Sequence, residues 1–125
     1  MDGFGKGAEG ESVHQKIEDL FDYANPILGR FPRPEKGYEG LATKIKGCIN
    51  QMTDCESNTH LCRYPKSLLK ELNELDKSIQ QAKLYVTRAH RQKLLAPKQF
   101  EIISDYLSQT GKMTGSWKAK VGSRL

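Results

Sequence analysis

The sequence predicts an all-α protein, an up-down-up-down four-helix bundle. Two observations carry that expectation. Four segments repeat apolar residues at alternating spacings of three and four, the signature of one buried helical face. No segment shows the every-second-residue alternation of a half-buried strand, and no hairpin turn signal joins two such runs.

Residues 1–11 (MDGFGKGAEGE) hold four glycines and little to bury, so they read as a flexible N-terminal arm. The bundle is expected over residues 12–121, with a short tail at 122–125. Ser12 and Gln15 form an S-x-x-Q pattern, which marks a helix start by a capping box. Val13, Ile17, Leu20, Ala24 and Ile27 then lie on one stripe. Pro26 cannot donate to the carbonyl four residues back, so the first helix should kink or end there. Pro32 and Pro34 make the following segment a rigid, non-helical connection.

The second helix is expected from about Gly37, with Tyr38, Leu41, Ile45, Cys48, Met52 and Cys55 on its buried stripe. Glu56–Tyr64 (ESNTHLCRY) breaks the pattern and reads as a loop. The third helix starts at Pro65, a residue suited to a first turn. Leu68, Leu72, Leu75, Ile79, Ala82, Val86 and Ala89 give the cleanest periodicity in the chain. Pro97 opens the fourth helix, with Phe100, Ile103, Leu107, Thr110, Thr114, Trp117 and Val121 facing inward. Leu69, Leu84 and Tyr85 on the third helix, and Ile102, Tyr106 and Met113 on the fourth, widen the apolar faces. On the fourth helix the second stripe reads as a subunit contact. Gly111 and Gly115 each cost roughly 1 kcal/mol relative to alanine in a helix. With Trp117 nearby, they read as a close helix crossing.

The 125 residues suffice for one domain. No apolar run approaches the ~20 residues that span a membrane, and the polar, glycine-rich start does not read as a signal peptide. Three cysteines cannot close a disulfide framework, so the expected setting is a reducing cytoplasm, bacterial, archaeal or phage-encoded. Cys48, Cys55 and Cys62 are seven apart, which is helical spacing rather than zinc spacing, and no metal or cofactor is expected. His14, His60 and His90 fall in different elements. There is no nucleophile elbow, phosphate loop or inward Glu-x-x-His pair, so an enzyme is not expected.

Charge is the remaining signal. Net charge is +5, but residues 1–62 carry 7 cations against 10 acids, and residues 63–125 carry 13 against 5. From Lys77 onward there are 10 cations and 2 acids. Lys77, Lys83, Arg88, Arg91, Lys93, Lys98, Lys112, Lys118 and Lys120 lie off the apolar stripes, where they could meet a polyanion without losing their hydration. Few aromatics interleave with them, Tyr85 and Tyr106 being the candidates, so the pattern lacks a base-stacking platform, and backbone and shape contacts should dominate over sequence readout.

Two segments carry a resemblance. Leu94-Leu95-Ala96-Pro97-Lys98-Gln99-Phe100, followed by Thr110-Gly111-Lys112-Met113-Thr114-Gly115-Ser116-Trp117, resembles the C-terminal signature of the accessory variability determinant proteins of diversity-generating retroelements. Phe31-Pro32-Arg33 and Leu75-Asp76 resemble the same family. The resemblance implies a four-helix bundle assembled as a homopentameric barrel with a basic surface. It further implies binding to a reverse transcriptase and its template RNA during mutagenic copying (retrohoming), with no catalysis by the accessory chain. Lys83 and Arg88 match third-helix positions that meet the partner in the family. The sequence departs from the family at Thr87, where Arg is frequent, at Lys112, which replaces Arg, and at Thr114, where an aliphatic residue is usual. A second resemblance, to the four-helix proteins of ribosomal-RNA intervening sequences, implies a stand-alone RNA-binding bundle.

Overall fold

A computed structural model describes residues 8–125. Among them are four α-helices and one short 3-10 turn: α1 (Ala8–Gly29), the turn Arg33–Lys36, α2 (Leu41–Thr59), α3 (Pro65–Arg91) and α4 (Pro97–Gly122). Each helix packs against two neighbours, closing the ring α1–α2–α3–α4. Cross-helix pairs show that adjacent helices run antiparallel. His14 and Leu28 of α1 lie near Glu56 and Thr43 of α2 respectively. Asp76 meets Lys118, and His90 meets Phe100, across α3 and α4.

The apolar stripes become the core. On α3 all seven residues of the stripe are 1% exposed or less. On α4, Ile103, Leu107, Thr110, Thr114, Trp117 and Val121 are buried, and Phe100 at the rim is half-buried. Val13, Ile17, Leu20, Ala24 and Ile27 face inward from α1. Each such aliphatic side chain contributes about 1.5–3 kcal/mol when fully removed from water.

Four expectations need correction. Residues 1–7 of the N-terminal arm lie outside the described residues, but the backbone is already helical at Ala8, so Ser12 sits inside α1 and is not its cap. Secondly, of the kink or end expected at Pro26, the end does not occur: α1 runs through Pro26 to Gly29. Pro26 and Asp22, whose carbonyl loses its donor, are both exposed, and buried Ile27, Leu28 and Phe31 hold the last turn and the exit.

Thirdly, α2 begins at Leu41 instead of Gly37, and Tyr38 is 87% exposed rather than buried. Pro32 and Pro34 are compatible with a single 3-10 turn, and Glu35 then caps α2: its Oε1 accepts from the Leu41 N–H at 3.0 Å. Finally, α2 continues to Thr59 through part of the expected loop. Glu56 and Thr59 occupy buried positions that a periodicity argument reserves for apolar residues.

Candidate nucleic-acid interface

The face of α3 opposite its core is built by spacing alone. Lys66, Lys70, Lys77, Leu84, Arg88 and Arg91 follow one another at four, seven, seven, four and three residues, so they share one side of the helix, and all are exposed. From Lys66 to Arg91 this face is about 37 Å long at 1.5 Å per residue. Two of the three acids of α3 are turned toward its flanks. Glu71 accepts from Asn58 of α2 at 3.4 Å and Asp76 pairs with Lys118 of α4 at 3.4 Å, whereas exposed Glu74 lines a hollow against α2 together with Lys77.

Among the described residues, Lys66, Lys70, Lys77, Arg88 and Arg91 form no ion pair. Their charges are hydrated and uncompensated, the state in which a polyanion gains most from counterion release.

The nine cations singled out in the sequence do not form one patch. Lys77, Arg88 and Arg91 share the outer face of α3. Lys83 is half-buried beside Gly111 of α4, and Lys118 is engaged by Asp76 in the same seam. Lys93 and Lys98 flank the α3–α4 turn, where Lys98 pairs with Glu101 at 3.3 Å. Lys112 and Lys120 are exposed on α4. Sequence reasoning left out Lys66 and Lys70, which the same spacing would have found had it been run backward from Lys77.

The turn itself is tightly specified. Lys93 adopts a left-handed backbone, φ 63°. The Leu94 N–H donates to Ala89 O at 2.9 Å, a six-to-one closure that ends α3 in a Schellman motif. The His90 ring stacks on Phe100, centroids 4.1 Å apart, and so joins the end of α3 to the start of α4. Gln99 Oε1 accepts from the Ala96 N–H at 3.0 Å to cap α4.

The residues expected at helix packing or subunit contacts divide. Trp117 is 2% exposed and belongs to the interior of the chain. Tyr106 packs toward Tyr23 of α1 at 6.2 Å between centroids, with the Lys16 ammonium 5.9 Å from its ring. Tyr106 and half-buried Ile102 also line an open hollow of about 810 Å³ along α4. Gly111 would place a Cβ in ordinary contact with Ile79, 3.7 Å away, whereas Gly115 faces open space. The close crossing expected at Gly115 is therefore absent within the chain, because α3 packs against α4 on the Gly111 side.

One polar cluster was not anticipated. Glu56, 2% exposed, is held between His14 Nδ1 at 2.9 Å from its Oε1 and His60 Nε2 at 3.0 Å from its Oε2. The hydrogen bond to Glu56 holds the His14 pKa above its usual value, against a smaller opposing effect of desolvation. The cluster ties α1 to the end of α2. Among the described residues, no group of three His, Cys, Asp or Glu is arranged to hold a metal ion. Cys48 and Cys55 are buried as small hydrophobes, and burial pushes both thiols up in pKa. Among the described residues, no helix is long and apolar enough to cross a membrane.

The profile of the bAvd-like proteins, the bacterial accessory variability determinants, matches residues 12–121. The chain belongs to the bAvd-like family. A comparison with curated proteins finds no match. Membership supports an accessory role for this bAvd-like chain in diversity-generating retroelements. It does not favour the stand-alone bundle similar to the proteins of ribosomal-RNA intervening sequences.

Proposed function

We propose that this bAvd-like chain is the accessory subunit that binds the retroelement's reverse transcriptase and its template RNA, as a basic homopentameric platform for mutagenic cDNA synthesis. The observation that carries the reading is the outer face of α3, where, among the described residues, five cations stand without an ion pair while Glu71 and Asp76 are engaged at its flanks. A rigid helix bearing uncompensated charge suits a phosphate backbone, and repetition around an oligomer multiplies the effective concentration of such faces. The α4 face around Ile102 and the open space at Gly115 support a subunit contact. Lys83 and Arg88 are the contacts that the family resemblance assigns to the partner.

The test is co-expression of the tagged chain with the reverse transcriptase and template RNA, followed by capture at increasing salt. The proposal expects both partners to be retained at low salt and released as salt rises. A Lys77→Glu, Arg88→Glu, Arg91→Glu triple variant of unchanged helicity should lose them. Capture of both partners unaltered by the triple variant would place the interface elsewhere.

A further inference from the structure

Tyr38 is the anomaly of this surface. A large aromatic ring stands 87% exposed on a turn that the fold fixes at several points. Lys36 Nζ donates to Gly29 O at 3.1 Å, Glu35 receives the Leu41 N–H, and the Gly40 N–H donates to Gly37 O at 3.0 Å. Gly40 packs so close to the Glu35 backbone that a Cβ would overlap it. The turn is thus pre-organised, and it holds Tyr38 at the mouth of a hollow of about 510 Å³ between α2 and α3.

Across that hollow lies Tyr85, half-buried, with the Arg88 guanidinium 5.8 Å from its ring centre. Lys44 and Lys77 line the same hollow, as do Gln51 and Gln81, whose amides can both donate and accept. Glu74 is the acid in the lining, and Lys44 is partly engaged by Glu39 at 3.4 Å. Among the described residues, no aliphatic side chain lines the hollow.

That composition selects among occupants. An amphipathic helix docks by inserting aliphatic anchors into an apolar groove, and this groove offers none. A duplex keeps its bases stacked on one another and gives an exposed tyrosine nothing to cover it. Two aromatic rings flanked by lysines and an arginine are the elements that bind an unpaired strand: bases stack on the rings and phosphates lie against the cations.

We infer that the α2–α3 hollow, bounded by Tyr38 and Tyr85, binds a single-stranded segment of nucleic acid through base stacking, with Lys44, Lys77 and Arg88 on its phosphates. The inference rests on the nucleic-acid part of the proposed function and adds the mode of binding and its place. It also revises the expectation that the pattern lacks a base-stacking platform, since periodicity puts Tyr38 on the buried stripe and so leaves it out of the exposed aromatics.

The experiment is fluorescence anisotropy of a short labelled oligouridylate with the full chain, repeated with an RNA duplex, for wild type, Tyr38→Ala, Tyr38→Phe and Lys77→Gln. Tyr38 is exposed, so its variants should keep the wild-type thermal unfolding curve. The inference expects Tyr38→Ala to bind the oligouridylate on the order of tenfold more weakly, as loss of one stacked base implies. Tyr38→Phe, which keeps the ring, should bind like wild type, and duplex binding should be unchanged by either variant. Lys77→Gln should lower the salt dependence by about one phosphate contact. Oligouridylate binding unchanged in Tyr38→Ala, or lost equally in Tyr38→Phe, would overturn the stacking site. Capture of the reverse transcriptase lost in Tyr38→Ala while oligouridylate binding stays intact would make the hollow a protein contact and overturn it too. If wild type retains reverse transcriptase and template RNA but fails to bind oligouridylate, the hollow is refuted while the proposed function stands.

Discussion

Replacing Thr114 with valine should stabilise this protein. Thr114 is fully buried on α4, and its Oγ1 has no hydrogen-bond partner. Thr110, one turn earlier and equally buried, returns its hydroxyl to the Tyr106 carbonyl at 2.7 Å. The two residues share chemistry, burial and helix, and differ in whether the hydroxyl is satisfied. An unpaired buried hydroxyl costs about 1–3 kcal/mol of desolvation, and valine fills nearly the same volume without it. Thr114→Val should therefore gain on the order of 1 kcal/mol or more, while Thr110→Val, which gives up a made bond, should gain nothing. Urea unfolding at fixed protein concentration would read the difference. With an m-value of about 1–3 kcal/mol/M, the midpoint for Thr114→Val should rise by roughly half a molar unit. A midpoint that falls, or that matches Thr110→Val, would refute the assignment of an unpaired group. The resemblance read from the sequence implies an aliphatic residue at this position, in line with the orphaned hydroxyl.

Three further outcomes follow from local geometry. Lys93 is a non-glycine residue at φ 63°, which costs about 1 kcal/mol, so Lys93→Gly should raise stability by up to that amount and Lys93→Ala should not; equal midpoints for the two in urea would contradict this. Gly115 faces open space, so Gly115→Ala should stabilise the single chain by roughly 1 kcal/mol, and a loss of stability with a fall in solution mass would instead show that a neighbouring subunit needs the glycine. The raised folded-state pKa of His14 sets the sign of a pH effect: its contribution is fully present below the unfolded value near 6.5 and is lost as pH rises through the folded value. His14→Gln should cost more stability at pH 6 than at pH 8, by less than about 1 kcal/mol because the side chain is half exposed, and Glu56→Gln should abolish the difference. A cost for His14→Gln that is equal at the two pH values would contradict the pairing.

The parts of this protein that were legible in the sequence are those where burial and apolarity coincide. The α3 stripe from Leu68 to Ala89 and the α4 stripe from Ile103 to Val121 are simple periodic patterns, and both lie in the core. Reading failed where a residue type and its environment disagree. Glu56 and Thr59 are polar and buried, because two histidines satisfy one and the helix backbone the other, so the end of α2 looked like a loop. Tyr38 is aromatic and exposed, because Gly40 and Glu35 start the helix four residues later than the pattern implied. The candidate interface was half legible. Spacing found Lys77, Arg88 and Arg91 and, run backward, would have added Lys66 and Lys70, but only the packing of α3 against α4 showed that Lys83 and Lys118 turn into a seam.

The most direct test of the accessory-subunit account is complementation of a retroelement that lacks its own accessory subunit but keeps its reverse transcriptase, template and target gene. The account predicts that the wild-type chain restores substitutions in the target, and that the Lys77→Glu, Arg88→Glu, Arg91→Glu variant, expressed at the same level, does not. Diversification restored equally by the charge-reversed variant would contradict the role given to the outer face of α3, and no restoration by the wild-type chain alongside its cognate reverse transcriptase would contradict the account as a whole.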